Sequence, residues 1–435
     1  MRRNEYFNPS LQSIHMKYPR YASLIMITLF AISARAQDSL LHLVYTVKAG
    51  KYTRHNTIIS HPVQPKEGAV YQLYLVEGKK KTPVLSQTGN GRIAWNLGAD
   101  LLPGKTRTFE LWTNTKDALA SNATEAVTVD NTAEGFTVKR GAETVLFYQA
   151  AIKDVPAGVD TAFRRGGFIH PAYTPGGKVL TNIQPKDHYH HYGIWNPWTD
   201  TEFEGQTIDF WNLKKLSGTV RVNFESNRNR SVSGPVWGGF LQVQDHVVLG
   251  KGTPDKTAIK EELEVTAYCG TKDVLIWDYN SKLTCGTASP IILKEYRYGG
   301  GFGFRGAEKW NNENSAVLTS EGKTRKDGDM THARWFKITG ALKGGQGGIL
   351  VLSSPKNFNA PQPLRIWPEK DQNGQVFAEF SPTKDKAWKL EPGNDYLQEY
   401  RVITFDGDLT AEQAEAYWND YAHPPEVVAK AKKTK

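Results

Sequence analysis

Glu262-Leu263-Glu264-Val265-Thr266-Ala267-Tyr268, followed closely by Val274-Leu275-Ile276-Trp277-Asp278-Tyr279, decides the fold class. In the first run the apolar residues fall at every second position, the period of a strand buried on one face. Working outward, Phe136-Thr137-Val138, Val145-Leu146-Phe147-Tyr148, Thr219-Val220-Arg221-Val222-Asn223-Phe224 and Gly348-Ile349-Leu350-Val351-Leu352 are strand-like too. Long amphipathic helical periods are absent, so strands do not alternate with helices. From residue 135 onward the expectation is therefore all-β: a large antiparallel double-sheet sandwich, jelly-roll or supersandwich in type, spanning 135–422. One helix is well signalled, where Thr410 and Gln413 form a capping box and Pro424-Pro425 provides the stop. It should pack outside the sandwich as a closing element.

Upstream, Leu41 to Val47, Val70 to Val76, Arg92 to Trp95 and Thr108 to Trp112 are short period-2 runs punctuated by Gly89-Asn90-Gly91 and Pro103-Gly104. They predict a small immunoglobulin-like accessory sandwich over 37–130, with a linker at about 119–134. Before it, Lys17 and Arg20, the apolar run Ala22 to Ala34 and the small-x-small site Ala34-Arg35-Ala36 have the layout of a secretory signal. Residues 1–36 are read as that signal region, with cleavage near Ala36/Gln37, and the expected location is the periplasm or outside the cell. No other stretch has the length of apolar sequence that a membrane span needs, so no integral membrane association is expected.

The formal net charge is +9. Five Lys/Arg against one Glu sit in residues 1–36, and Lys430, Lys432, Lys433 and Lys435 cluster at the end. The folded body is therefore near neutral, which argues against a nucleic-acid partner. The tail 423–435 is read as a frayed basic end. Cys269 and Cys285, in an exported chain, are available to pair.

The chemistry is placed at Asp187-His188-Tyr189-His190-His191-Tyr192-Gly193-Ile194-Trp195, which holds three of the eleven histidines. On a strand, His188 and His190 share one face and His191 the other. A His-x-His pair can hold a divalent metal such as Zn, Cu, Ni or Fe, so His188 and His190 are the metal candidates. The third ligand would come from His170, His332, Glu295 or Asp187. Without a metal, the same imidazoles can share acid, base and orienting roles. The bland alternative is ordinary hydrogen-bonded histidine in an aromatic-rich sheet. Trp195-Asn196-Pro197-Trp198 and Asp209-Phe210-Trp211-Asn212 put indoles beside amides and carboxylates, the pairing a sugar ring selects, although sandwiches also bury Trp routinely. Within Tyr298-Gly299-Gly300-Gly301-Phe302-Gly303-Phe304-Arg305 no helix or Gly-Lys-Ser/Thr follows, so phosphate binding is disfavoured. Those glycines either allow a close backbone approach that delivers Arg305 to a pocket or relieve crowding beneath large rings. Arg334 and Asn357 are further candidates, the latter before an irregular loop forced by Pro361, Pro363 and Pro368.

In order, Phe168-Ile169-His170-Pro171, Tyr173-Thr174-Pro175-Gly176-Gly177, Asp187-His188-x-His190-His191-x-Gly193, Gly299-x-Gly301-Phe302-Gly303-Phe304-Arg305, Arg334-Trp335 and Pro355-x-Asn357-Phe358 form a motif series. Over 135–422 the chain resembles the exported bacterial proteins labelled PmoA-like, after a methane monooxygenase subunit. A membrane oxygenase subunit needs several spanning helices, and this sequence supplies none. The resemblance implies instead a setting among sugar oxidoreductases and glycan-degrading enzymes, including systems that oxidise a glycoside at C3 before cleaving it.

The leading expectation is an exported carbohydrate-active enzyme, a hydrolase or lyase on glycosides, 3-keto glycosides included. His188 and His190 would serve as base or ligands, His170 and His332 as completing groups and Glu295 as acid or ligand, with Arg305 steadying an enolate. His191, Trp195, Trp198, Asp209, Trp211, Arg334 and Asn357 would bind substrate. The rivals are a non-catalytic glycan-binding protein and, third, a metal-dependent oxygenase.

Overall fold

The computed structural model describes residues 40–431 except 56, 65–68, 114–125 and 271, and gives the backbone alone at 40–42. The signal region, much of the linker and the last four residues lie outside the described residues.

The runs Glu262 to Tyr268 and Val274 to Tyr279 lie in adjacent long strands, Lys256–Tyr268 and Val274–Cys285, at the centre of a nine-stranded sheet. Every neighbouring pair is antiparallel, continuing through Tyr396–Asp406, Gly345–Ser353, Trp335–Leu342 and Ser315–Thr319 on one side and Trp237–Val248 and Gly218–Val222 on the other. Leu263, Val265, Trp277 and Tyr279 face inward and are buried. They meet Ile169, Ile194, Phe304 and Ala378 from an eight-stranded sheet, and this contact is the main core. The expected antiparallel double-sheet sandwich is what forms.

The pairing also settles the cysteines. Cys285 sits opposite Ile259, whereas Cys269 follows Tyr268 at the far end of the same ladder. Ten residues of strand separate the two ends by about 30 Å, so no bridge can join them.

Ahead of the large sandwich, Leu40–Lys48, Thr106–Thr113, Tyr71–Glu77 and Lys80–Val84 form a sheet that faces a second one made of Ile58–Pro62, Arg92–Asn96 and Ser86–Gly89. Tyr45, Leu73, Trp95, Phe109 and Leu111 fill the space between them. The basic tail departs from expectation here. Glu426–Ala431 is a strand that pairs with Leu43 to Lys48 and becomes the edge of the N-terminal sheet. A segment with alternating Val427 and Ala429 has apolar surface to bury, and the edge beside Tyr45 and Val47 accepts it.

The expected helix is Ala411–Ala422, with both capping-box hydrogen bonds made between Thr410 and Gln413. Its Trp418 and Ala414 pack on the nine-stranded sheet beside Ile403 and Leu352. Its other attachment is polar. Asp420 is buried and accepts from Arg54 (2.9 Å) and Thr57 (2.7 Å) of the N-terminal sandwich. No helix among the described residues is long and apolar enough to cross a membrane.

Removing one partner of a buried ion pair leaves the other charge unpaired in a dry setting. Asp420→Ala should therefore lower unfolding free energy by about 3 kcal/mol in urea melts, more than an exposed pair such as Lys48–Glu426 (3.0 Å) would cost. A change no larger than for Glu426→Ala would show that the Arg54 contact does not fasten the two sandwiches.

Candidate active site

The His cluster is not a strand. Ile183 and Tyr192 bridge each other and close a loop, inside which His188 N–H donates to the Pro185 carbonyl (2.9 Å) and His191 N–H to the His188 carbonyl (3.0 Å). Pro185 and Asp187 are turn residues, and they override the alternation that His-x-His suggested. The second turn curls the chain so that all three imidazoles converge, each with a ring nitrogen within 4.8 Å of the others. His191, expected on the opposite face, is therefore part of the group. Gly193 then returns the chain to the sheet at φ 66°, where a Cβ would lie 2.3 Å from the Ile169 carbonyl oxygen. Only glycine fits that backbone and that space.

The cluster lies on the face of the eight-stranded sheet that points away from the main core. Phe168, Trp195, Arg305 and Phe377 alternate with the inward Ile169, Ile194, Phe304 and Ala378. Arg305 is 1% exposed and donates to both Asp187 oxygens, at 2.9 and 3.2 Å. Its other terminal nitrogen is 3.5 Å from His191 Nδ1, and its guanidinium lies 4.9 Å from the Trp367 ring centroid. Asp187 also faces His188 Nδ1 at 2.7 Å.

These contacts fix the two tautomers from the hydrogen-bond network. A carboxylate accepts, so His188 carries its proton on Nδ1 and leaves Nε2 as a lone pair. A guanidinium can only donate, so His191 Nδ1 is the lone pair and the proton is on Nε2. That Nε2 is buried without a hydrogen-bond partner among the described residues. The rings of Trp195, Trp211, Trp367 and Phe377 surround it at 5.1–5.4 Å between centroids.

Burial among those rings, followed by His188 and Arg305, pushes His190 down to about 4. Burial, followed by the neighbouring His190 and Arg305, holds His191 well below the ordinary range. Both are neutral near pH 7. Burial alone would raise Asp187, but the His188 hydrogen bond and Arg305 outweigh it and keep the carboxyl below its usual range. Burial opposes the Arg305 charge and Asp187 supports it.

Several expected site residues lie here: His188, His190, His191, Trp195, Trp211 and Arg305. The indoles are a floor and not a sugar platform, since Trp195, Trp211 and Trp367 are at most 2% exposed. Trp211 Nε1 donates to the His190 carbonyl (2.8 Å), so it holds the loop from beneath. Solvent reaches His188, whose side chain is 21% exposed, and the half-buried His190 and Tyr298.

Other expected residues have different work. His170 bonds Thr181 Oγ1 (2.9 Å), and burial, then Lys153, lowers it to about 4. His332 is exposed and pairs with Asp385 (2.8 Å). Glu295 is exposed, and none of the described contacts of the cluster reaches it. Asp209 caps the turn that carries Trp211, accepting from the backbone N–H groups of Trp211 and Asn212 at 3.0 and 2.8 Å. Trp198 packs against Trp388 in a separate core, Arg334 pairs with Glu415 (3.1 Å), and Asn357 bonds the Glu399 backbone. A separate cleft of about 520 Å³ opens between Tyr52, Trp335 and Glu412, but its imidazole, His55, is exposed and pairs with Asp100.

The chain belongs to a family of unknown function, DUF6807, matching it over residues 135–419. That description assigns no activity and does not mention PmoA. The span covers every residue of the cluster and leaves the N-terminal sandwich outside. A comparison with curated proteins gives no match. Among solved structures the chain is similar to an aldose epimerase homologue from C. elegans (8% identity, 65% of this chain and 99% of that one, TM-score 0.32). It is similar also to the galactosidase domain of an α-galactosidase–sucrose kinase (11% identity, 67% and 42%, TM-score 0.25) and to an α-galactosidase from Lactobacillus brevis (8% identity, 68% and 41%, TM-score 0.23). At TM-scores below 0.5 these likenesses establish neither fold nor activity.

Residues missed by the sequence reading complete the site. Trp367, beside Pro368, lies in the irregular proline-rich loop. Phe377 and Glu379 come from the strand Phe377–Phe380, whose FAEF sequence carries no distinctive signal. Glu379 accepts from Ser381 Oγ (3.1 Å), and burial drives its carboxyl well above the carboxylate range against the pull of Lys384 and Arg365. A carboxyl raised on folding holds its proton where the unfolded chain has lost it, so stability falls as pH rises above the ordinary value near 4.5. Glu379→Gln should flatten that slope, gaining on the native protein in urea melts from pH 5 to 8. Parallel pH curves for the two proteins would contradict the assignment.

Proposed function

We propose that the protein is an exported carbohydrate-active enzyme, a hydrolase or lyase that cleaves glycosides, 3-keto glycosides among them. The observation that carries the reading is the Asp187–His188 pair beside the neutral His190, three groups that solvent reaches, set above a dry aromatic floor. With its Nδ1 proton held by Asp187, His188 presents Nε2 as a general base. In a 3-keto glycoside the C2 proton is acidic, and His188 takes it. His190, kept neutral by burial, donates an N–H to the carbonyl oxygen where negative charge collects. Arg305 is too deep to touch a sugar and acts by fixing Asp187. Two free carboxylates flanking a bond, as a conventional glycosidase needs, are not what this pocket offers: Asp187 and Asp209 are both engaged.

A second reading is favoured by the convergence itself. Three ring nitrogens within 4.8 Å of one another can close on a divalent transition metal after modest side-chain rotation. The Asp187–His188 hydrogen bond then becomes the outer contact that orients a ligand. His191 would have to turn its Nδ1 proton toward Arg305 to join, which favours His188 and His190 as the ligands.

The test is product analysis on oxidised and unoxidised glycosides. His188→Ala should cost about 10²-fold or more in kcat, and a variant with full turnover would end the proposal. Turnover that persists in EDTA assigns the work to imidazole alone. Turnover lost in EDTA and restored by zinc assigns it to the metal, and Asp187→Asn should then weaken metal binding about 10- to 100-fold in calorimetry.

A further inference from the structure

Cleaving a glycoside requires a proton for the departing oxygen as well as a base. Tyr298 is placed to supply it. Its ring packs edge-on against Trp211 (5.0 Å), and Trp211 meets His190 (5.3 Å) and His191 (5.4 Å). Its hydroxyl accepts from Trp367 Nε1 at 3.2 Å, while the Trp367 ring packs on His188 at 4.8 Å. The phenol and the proposed base thus touch the same indole.

The hydroxyl also accepts from Arg365 Nη2 (3.3 Å), whose guanidinium lies over the phenol ring at 4.9 Å. With two donors on the oxygen and no acceptor for its proton among the described residues, the O–H is free to donate outward. When the proton leaves, the charge left on oxygen faces a guanidinium. The neighbouring acids are poor substitutes. Asp329 is bound to Arg365 (2.8 Å) and Lys384 (3.0 Å), and Glu379 is fully buried.

We infer that Tyr298 is the general acid that protonates the leaving glycosidic oxygen, held in place by Arg365 and Trp367. This rests on the glycoside-cleaving reading above. For a 3-keto glycoside, His188 takes the C2 proton and the C2–H electron pair becomes the C1=C2 bond. The C1–O bond breaks with its pair on the leaving oxygen, which takes the Tyr298 proton and departs as an alcohol. The imidazolium gives its proton to water and the tyrosinate regains one from water. One glycoside yields one enone and one alcohol.

An acid matters most when the leaving group is poor. The experiment compares Tyr298→Phe with the native protein on methyl and 4-nitrophenyl 3-keto glycosides, with thermal melts to check that the variant is folded. The variant should lose about 10²- to 10⁴-fold in kcat on the methyl compound and less than tenfold on the nitrophenyl one, with KM little changed. Equal losses on both substrates in a folded variant would overturn the acid role while leaving the base untouched. A native protein that turns over neither compound would overturn the glycoside-cleaving reading itself.

Discussion

The ion pair between the buried Arg305 and the solvent-reached Asp187 is the contact on which the rest of the site depends. A guanidinium 1% exposed on the face of a sheet needs its charge answered, because desolvation costs several kcal/mol per ion. Among the described residues, the loop closed by Ile183 and Tyr192 brings the carboxylate that pairs with it. That requirement orders the loop, and the order carries chemical information. Asp187 selects the Nδ1 proton on His188, and Arg305 selects the Nε2 proton on His191. One cation therefore sets two neighbouring imidazoles in opposite tautomers.

The sheet beneath explains how such a group can be rigid and still reachable. Alternation along Phe302–Arg305 sends Phe304 into the sandwich core and Arg305 to the outer face. The inner face is packed against the nine-stranded sheet and cannot shift without disturbing the core. The outer face is free to carry a loop and its chemistry. Crowding at the approach is relieved by Gly300, at φ 73°, where a Cβ would lie 1.9 Å from the Trp198 ring. Of the two readings open for that glycine run, relief beneath large rings explains Gly300, and delivery of a cation to a pocket describes Arg305.

Strand alternation made the sandwich legible, because Leu263, Val265 and Ala267 must face one way whatever surrounds them. The same rule misled at residues 187–191, where turn chemistry at Pro185 and Asp187 outweighed a two-residue period. The density of histidine did pick out three side chains that converge, since that signal does not depend on backbone shape. What could not be read was which distant residues arrive. Trp367 and Tyr298 reach the cluster through loops whose course depends on the whole sandwich, whereas His170 bonds Thr181, His332 pairs with Asp385 and Glu295 is exposed. The tail was misjudged for a related reason: four lysines describe solubility, but a strand edge far earlier in the chain, Leu43 to Lys48, decides where Glu426–Ala431 lies.

The aromatic content also takes on a different meaning. Indoles beside amides and carboxylates suggested surfaces for stacking sugars, yet Trp195, Trp198 and Trp211 are buried. For the rings around the cluster, the effect on the site is electrostatic. By excluding water they make a charged imidazole costly, and His190 and His191 stay neutral as a result. His188 differs in its partner: Asp187 faces its Nδ1 at 2.7 Å, and among the described residues no carboxylate is in hydrogen-bond contact with the other two imidazoles. A floor of rings with a carboxylate bonded to only one of three imidazoles thus gives neighbouring side chains different surroundings within a short loop.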